Sequence, residues 1–347
     1  MKFFFILGCA LLGVLSAFNT LAQDSKKITI PVFLFLTGDY ASLGTSVKSG
    51  IELAVSENDL SEQIILKFED IGTLEAGKMV SAAQKSFAFD NPFCGVTMTA
   101  DEAAPVAPIF QAKKVPLITL WDSTEDFLSH GNYMFSTGFS AEKAGEKIAE
   151  FSIKNLKSKK LAIVSHISAW AEALIKGYKR KAKELGAEVI LEQPLSPETT
   201  DFRSSLLKVK KLNPDSVFFP LLGNASSFLK QARTYEISSD LVSGDTMIVP
   251  GELEASGEAA NGVYYGAVYA ENEPELRKKT KEEITYMFAL SLGYNGMRKI
   301  LEALALKRSL ELSTRDSFEK IIGPSRTLDK EVRMHVVKDG KIAVLEN

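Results

Sequence analysis

The stretch that decides the fold runs from residue 28 to residue 58 and reads ITIPVFLFLTGDYASLGTSVKSGIELAVSEN. Residues 28–36 are almost all apolar, which is typical of a strand buried on both faces of a sheet. A loop at residues 37–44 contains two glycines, and residues 46–58 then have the apolar spacing of a helix that faces a core. This order of strand, loop and helix is the unit that the rest of the chain repeats.

The same alternation continues through the first half of the chain. Apolar runs of strand length recur at residues 64–68, 93–98 and 116–120, and helical periodicity covers residues 74–88 and 101–111. Strands that alternate with helices in this way predict a parallel sheet covered by helices on both faces.

The pattern restarts near residue 141, which predicts a second lobe of similar construction. Its predicted elements are helix 141–156, strand 161–165, helix 171–185, strand 188–191, helix 202–212, strand 216–219, helix 225–235 and strand 241–243. Gly186 can end helix 171–185 in a left-handed conformation. Asp201 is expected to cap the start of helix 202–212.

The last part of the chain returns to both lobes. After a strand at residues 262–269, the periodicity predicts helices at 275–290, 294–306 and 314–321. A hairpin of residues 331–337 and 342–345, turned at Asp339-Gly340, then ends the chain. Because these elements arrive after both lobes are complete, we expect the chain to cross back between the lobes, and such crossings can form a hinge.

The composition is that of a globular protein of about two domains. Of the 347 residues, 45% are hydrophobic and 24% are charged, and the net charge is −3. These values exclude a disordered chain, a collagen and a disulfide-rich scaffold. They also argue against a nucleic-acid partner, since such proteins usually carry a basic excess on one face.

The N-terminus has the pattern of a cleavable export signal. Lys2 precedes an uncharged run at residues 3–18, which is shorter than the roughly 20 residues of a membrane-spanning helix. Thr20 and Ala22 are small residues that suit cleavage. Residues 1–22 are therefore predicted to be a signal peptide, with an uncleaved anchor as the alternative.

A series of short motifs runs in order along the chain. The first is residues 35–44, FLTGDYASLG, continued by Gly50 and Leu53-Ala54-Val55. The later motifs are Glu69-Asp70, residues 107–119 around Val115-Pro116-Leu117-Ile118, Asp201-Phe202, Asn213-Pro214-Asp215, Lys230-Gln231-Ala232-Arg233, Gly323-Pro324 and Lys338-Asp339-Gly340-Lys341. Together they resemble the type I periplasmic binding proteins, in the branch that binds leucine, isoleucine and valine.

The resemblance implies an α/β fold of two Rossmann-like lobes joined by three crossover segments that form a hinge. Lobe 1 is expected to comprise residues 23–138 and 266–325, and lobe 2 residues 139–265 and 326–347. A small polar ligand would be held in the cleft between them. Open parallel sheets bind ligands beyond the carboxyl ends of their strands, where helix N-termini present N–H groups, so the site is expected in loops that leave strands.

Several loops of lobe 1 contain candidate ligand-binding residues. The loop at residues 37–44 lets the backbone approach a ligand, and residues 97–101 open a helix whose first amides could receive a carboxylate. Residues 120–123 match the family's segment that holds the ligand through backbone and hydroxyl groups. The candidates are Tyr40, Leu43, Thr99, Ala100, Trp121, Asp122 and Ser123.

Lobe 2 contributes three further candidates. Trp170 matches an aromatic position that closes over the ligand in relatives, and Asn224 lies in the loop at residues 221–224. Asp245 lies in the region from which relatives supply an acidic partner for an ammonium group. If Trp121 and Trp170 both face the cleft, a ligand cation or ring could stack on them.

Each of these assignments has a structural alternative. Trp121 and Trp170 could pack within the lobes, and Asp122 could be a solvated loop acid. Thr99 and Asp101 could cap their helix, a role that is compatible with ligand contact.

Two departures from the branched-chain amino-acid binders bear on the ligand. Met98-Thr99-Ala100-Asp101 stands where those proteins usually have a serine-rich stretch, and Trp121-Asp122 stands where they have small residues. The added carboxylates would repel an α-carboxylate, and the indole would narrow the pocket. A small polar, cationic or aromatic molecule is therefore expected instead of leucine.

The function expected from these features is solute binding. The protein would be exported to the periplasm, act as a monomer and deliver a small ligand to the membrane permease of an ABC importer. A ligand sensor of the same fold, acting on a signalling partner, is the alternative. An enzyme, a metal site or a cofactor is not expected, because His130, His166 and His335 are scattered and no phosphate-binding loop is present.

Overall fold

The computed structural model describes residues 27–38, 40–72, 76–249, 251–268, 272–280 and 286–345. The predicted signal peptide lies outside these residues. The strands are β1 (Ile28–Leu34), β2 (Ile64–Asp70), β3 (Gly95–Thr97), β4 (Leu117–Thr119), β5 (Asp122–Ser123), β6 (Met134–Ser136), β7 (Phe139–Ser140), β8 (Lys160–His166), β9 (Glu188–Leu195), β10 (Ser216–Phe218), β11 (Asp240–Ser243), β12 (Tyr264–Val268), β13 (Val332–Lys338) and β14 (Lys341–Val344).

The helices alternate with these strands, as the sequence predicts. They are α1 (Ala41–Ser56), α2 (Ala76–Phe89), α3 (Ala100–Ala103), α4 (Ala107–Lys113), α5 (Glu125–Ser129), α6 (Ala141–Lys154), α7 (Ala169–Glu184), α8 (Arg203–Leu212), α9 (Ala225–Thr234), α10 (Glu252–Ser256), α11 (Glu273–Lys279), α12 (Met287–Leu310) and α13 (Thr314–Ile322). Short 3-10 turns lie at Ser61–Gln63, Asp245–Ile248 and Gly257–Ala260.

The first sheet has the strand order β2-β1-β3-β4-β6, and all of its neighbouring strands are parallel. Its strand β1 is buried at Ile30, Val32, Phe33 and Leu34. Burial of consecutive residues means that both faces of the strand are covered, which is why its sequence is a continuous apolar run. This sheet and the helices packed on it form lobe 1.

The second sheet has the order β14-β13-β12-β11-β10-β8-β9. Strands β8 to β12 pair in parallel, whereas β13 and β14 form an antiparallel hairpin at the edge. The hairpin turns at Asp339 and Gly340, both of which have positive φ, as the Asp-Gly pair predicts. This sheet and its helices form lobe 2, so the predicted architecture of two α/β lobes is confirmed.

Helix α12 crosses α1 at a contact between backbones. A Cβ atom on Gly293 would lie 2.1 Å from the carbonyl oxygen of Val47, and one on Gly50 would lie 2.0 Å from that of Leu290. The helix therefore continues through Gly293, and the prediction of separate helices at residues 275–290 and 294–306 is wrong. Although α12 has 24 residues, no helix in the described part of the chain is both long and apolar enough to cross a membrane.

Two other predicted helices are interrupted. Residues 101–111 form α3 and α4 with a break between them, because Pro105 has no N–H group to continue the helical hydrogen bonds. The helix predicted from residue 275 is α11, which ends at Lys279 before an extended Thr280. The short elements β5, α5, β6 and β7 were not predicted, since they have too few residues to show a period.

Within the described residues, the chain passes between the lobes after β6, between β12 and α12, and between α13 and β13. Strand β12 stays paired with β13 as far as Val268, beyond the predicted boundary at residue 265. Thr327 forms a bridge with Ser136 of β6, so the chain is still attached to lobe 1 after residue 325. Both pairings lie beyond the predicted boundaries, and the lobe boundaries themselves stay predictions.

Candidate functional site

A cavity lies between the two lobes, beyond the carboxyl ends of strands in both sheets. The space open to the centre of a water molecule is about 80 Å³. Since one water needs about 10–15 Å³ of such space, the cavity has room for a small organic molecule. Its lining residues are Phe35, Tyr40, Leu43, Met98, Thr99, Asp101, Glu102, Trp121, Asp122, Trp170, Leu222, Asp245, Thr246 and Val249.

A hydrogen bond across this cavity joins the lobes. Trp121, which follows β4 in lobe 1, donates its Nε1–H to Oδ2 of Asp245, which follows β11 in lobe 2, at 2.7 Å. The indole of Trp170 lies near the same carboxyl group. Burial raises the pKa of Asp245 to about 6, and the two indole N–H groups oppose that rise because they favour the ionised form.

A second contact between the lobes involves the start of α7. The start of α7 faces the carboxyl group of Asp101 in α3. The first N–H groups of a helix have no partner inside it, so a carboxylate at this end is favourable. Burial raises the pKa of Asp101, and the nearby backbone N–H groups of Trp170 and Ala169 partly offset the rise. Asp101 thus helps to hold the lobes together around the cavity.

Asp122 is a buried carboxyl group in the cavity wall, with 1% of its surface exposed. Its Oδ1 accepts the backbone N–H of Ala100 at 3.0 Å, while its Oδ2 has no hydrogen-bond partner among the described residues. Burial, reinforced by the charges of Asp101 and Asp245, raises the pKa of Asp122 well above its usual value. The alternative of a solvated loop acid is therefore wrong.

Glu102 is a further carboxyl group of the cavity, and the sequence analysis did not identify it. Thr99 and Glu102 form a capping box at the start of α3, in which Glu102 Oε2 accepts the N–H of Thr99 at 3.4 Å, and the same oxygen accepts the N–H of Met98 at 2.8 Å. Its Oε1 has no partner in the described part of the chain. Burial raises the pKa of Glu102 to about 8. The Thr-x-x-Glu spacing of a capping box was available in the sequence as an indication of this role.

Aromatic side chains from both lobes form much of the remaining wall. The rings of Phe35 and Tyr40 lie 5.6 Å apart, and Trp121 packs edge-on against Phe288 at 5.1 Å. Tyr40 also reaches lobe 2, where a Cβ atom on Gly223 would lie 3.2 Å from its hydroxyl oxygen. The cavity therefore combines carboxyl groups with aromatic surfaces.

Three of the predicted ligand-binding residues do not line the cavity. Ala100 is buried and gives its N–H to the carboxyl group described above. Ser123 donates its hydroxyl to the carbonyl oxygen of Phe139 at 3.3 Å, and Asn224 donates its side-chain amide to the carbonyl oxygen of Pro197 at 3.2 Å. The predicted residues that do line the cavity are Tyr40, Leu43, Thr99, Trp121, Asp122, Trp170 and Asp245.

His166 has a local role in lobe 2. Its Nδ1 accepts the backbone N–H of Leu222 at 3.2 Å, and its ring lies over that of Phe202 at 6.5 Å. Over the described residues, no group of three or more His, Cys, Asp and Glu side chains has an arrangement suited to a metal ion.

Known proteins with similar sequences are named as amino-acid binders. The Leu/Ile/Val-binding protein BraC3 of Rhizobium johnstonii is 26% identical over 271 residues, which cover 75% of this chain and 72% of that protein. The Leu/Ile/Val-binding protein of Escherichia coli K12 is 22% identical over 272 residues, covering 74% of this chain and 72% of that protein.

Solved structures show the same fold. A leucine binding protein from Thermotoga maritima has a TM-score of 0.79 at 21% identity and covers 92% of this chain and 98% of its own. A solute binding protein from R. palustris in complex with 4-hydroxybenzoate has a TM-score of 0.80 at 20% identity and covers 92% of this chain and 96% of its own.

The family comparison covers most of the chain. The sequence profile of the periplasmic binding proteins matches residues 27–314. The matched proteins are named as solute binders, so the prediction of a binding protein rather than an enzyme is confirmed. The chain belongs to the periplasmic binding protein family.

Proposed function

We propose that this protein is exported to the periplasm, captures a small organic ligand between its lobes and delivers it to the membrane permease of an ABC importer. The observation that carries the proposal is one buried cavity with walls from both lobes. A molecule that contacts both lobes binds the closed arrangement more tightly than an open one. Ligand binding therefore shifts the population toward the closed form, which the permease would recognise.

The contacts that close the lobes are weak enough to be broken and remade. Beside the cavity, Glu125 of α5 in lobe 1 pairs with Lys176 and Arg180 of α7 in lobe 2, at 2.7 Å and 3.1 Å. All three side chains are about half exposed, and such pairs contribute about 1 kcal/mol or less. Without ligand, the lobes can then separate about the three segments that connect them.

Family membership supports the partner and the compartment. The matched family is named for periplasmic binding proteins, and several similar solved structures are named as ABC transporter proteins. The predicted signal peptide at residues 1–22 would direct export, and the two lobes form a complete cavity within one chain, so we propose a monomer.

The ligand can be identified from the protein itself. Mass spectrometry of small molecules released by unfolding the purified protein should detect one enriched compound. Adding that compound back should raise the melting temperature of the stripped protein. Trp170→Ala should weaken its binding at least tenfold, whereas Phe89→Ala, at a side chain that is 80% exposed outside the cavity, should not. Equal affinity in both variants would contradict the proposed site.

Hinge closure can be measured separately by small-angle scattering. The stripped protein should have a larger radius of gyration than the protein saturated with its ligand. Identical scattering in the two states would contradict capture by closure. Reconstituted vesicles that carry the cognate permease would then test delivery, with the Phe89→Ala variant as the positive control.

A further inference from the structure

We propose that the ligand of this cavity is a small organic ammonium ion that carries no carboxylate. This inference rests on the proposed function, because it specifies which kind of solute the cavity selects. The charge of the cavity, its unpaired carboxyl oxygens and its aromatic walls together favour such an ion over an amino acid or an aromatic acid.

The charged groups around the cavity are all acidic. Asp101, Glu102 and Asp122 come from lobe 1 and Asp245 comes from lobe 2, while no Lys or Arg lines the cavity in the described part of the chain. Charges interact strongly in a buried site because the surroundings are poorly polarisable. A cation in the cavity would favour the ionised forms of these carboxyl groups and be attracted by them, whereas an anion would be repelled by any of them that is ionised.

Two carboxyl oxygens are held in the cavity wall without a partner. Asp122 and Glu102 are 1% and 0% exposed, and one oxygen of each is fixed by a backbone N–H group. Asp122 Oδ2 and Glu102 Oε1 have no donor among the described residues. Buried polar atoms normally have hydrogen-bond partners, and a donor that enters the cavity would satisfy these oxygens in the ionised form of each group. A primary ammonium group supplies three N–H donors with a positive charge.

Aromatic rings complete a cage for a cation. Trp121, Phe35 and Tyr40 line the cavity from lobe 1, and Trp170 lines it from lobe 2. A cation over an aromatic face is attracted by the negative charge of the ring face, and indole is the best ring for this contact. The indole of Trp121 donates to Asp245 and that of Trp170 lies near the same carboxyl group, so both rings stand beside the acidic group.

The backbone N–H groups at the starts of α3 and α7, which could bind a ligand carboxylate, already face carboxyl groups of the protein. The N–H of Ala100 donates to Asp122 at 3.0 Å, and the N–H groups of Ala169 and Trp170 at the start of α7 face the carboxyl group of Asp101. The protein's own carboxyl groups therefore occupy these positions. Leucine and 4-hydroxybenzoate, which the names of two similar structures mention, both carry a carboxylate and would find no free cation or amide of this set.

Matched pairs of small molecules test this inference. Titration calorimetry on the stripped protein would compare isopentylamine with leucine and 4-hydroxybenzylamine with 4-hydroxybenzoate. The neutral alcohols 3-methylbutanol and 4-hydroxybenzyl alcohol serve as controls for shape without charge. We expect at least one amine to bind at least tenfold more tightly than the acid and the alcohol of its set.

The Asp122→Asn variant adds a second measurement. It keeps an oxygen for the Ala100 amide and removes the carboxyl group that a bound cation would ionise, so amine binding should weaken at least tenfold. Asp126→Asn, at an exposed acid of α5, should leave amine binding unchanged. A melting temperature at least as high as that of the original protein would show that the Asp122→Asn variant folds.

The outcomes separate this inference from the proposed function. The ammonium inference would be overturned if leucine, 4-hydroxybenzoate or an alcohol bound more tightly than the matched amine. If Trp170→Ala abolished that binding, solute binding in the cavity would still hold. Failure of every amine, or amine binding that survives Asp122→Asn, would also overturn the ammonium inference. Absence of any enriched compound in the released fraction, with no binding from a broad solute panel, would count against solute binding itself.

Discussion

Replacing Asp245 by Asn should stabilise the ligand-free protein against unfolding. Asn keeps an oxygen that can accept the Trp121 Nε1–H, so the contact between the lobes is retained. The substitution removes only the free-energy cost of ionising a carboxyl group in a buried site. The pKa of Asp245 rises from 3.8 to about 6 on folding, which corresponds to about 3 kcal/mol, since one pKa unit is worth about 1.4 kcal/mol.

The sign of this effect depends on pH. Between pH 3.8 and about 6 the folded state binds the proton of Asp245 more tightly than the unfolded state does, so stability falls as the pH rises through this window. Above about pH 6 the original protein loses the full stability that ionisation of Asp245 costs, and below pH 3.8 it loses none. The Asn variant does not have this cost. Its free energy of unfolding should therefore exceed that of the original protein by an amount that grows with pH.

Urea unfolding of the stripped protein measures this advantage. The difference in the free energy of unfolding between the Asn variant and the original protein should reach about 3 kcal/mol near pH 7.5 and fall below about 1 kcal/mol near pH 4. Asp126→Asn is the control for loss of an exposed acid and should change stability by about 0.5 kcal/mol or less. An Asn variant with the same or lower stability than the original protein near pH 7.5 would refute the argument that burial strains this carboxyl group.

Three other predictions follow from the same contacts. The affinity of the protein for an amine, measured by calorimetry, should fall about tenfold from pH 7 to pH 5, because protonation of Asp245 removes the negative charge that attracts the cation. An affinity that rises as the pH falls would contradict this. Trp121→Phe should loosen the closed form, seen as a larger radius of gyration with subsaturating ligand, because the donor to Asp245 is lost. Gly293→Ala should lower the free energy of unfolding in urea by about 1–3 kcal/mol, since its methyl group would lie 2.1 Å from the Val47 carbonyl oxygen. Gly77→Ala is the control and should not destabilise the protein, because no atom lies within 4 Å of the added methyl group. Equal stabilities of the two variants would show that α1 and α12 can move apart freely.

The predicted stability gain and the proposed ligand are connected. A buried carboxyl group that lowers the stability of the empty protein is retained in the cavity, where a cation can offset its cost. On this proposal, Asp122 and Asp245 lower the stability of the empty protein and strengthen ligand binding, a combination that is common in functional sites. A variant that is more stable but no longer binds the ligand would show both effects.

Much of the fold was determined by the sequence alone. Apolar runs of strand length alternate with helical periods, and a strand such as β1, covered on both faces, must be apolar throughout. That signal is local, so it places strands and helices without knowledge of their neighbours. It also led to Trp121, Asp122, Trp170 and Asp245, because ligands of open parallel sheets lie beyond the carboxyl ends of strands.

Only the tertiary structure decided what those residues do. Gly293 lies inside a helix, where the backbone of Val47 packs directly against it and leaves no space for a side chain. Local sequence patterns do not predict such a contact. In the same way, Asp122 uses the Ala100 amide from a different loop, and Trp121 meets Asp245 from the opposite lobe. Burial, pairing and pKa depend on atoms that are far apart in the chain. The sequence thus determined the two lobes and predicted candidate residues between them, while the structure decided that the space between the lobes is lined by acidic and aromatic side chains.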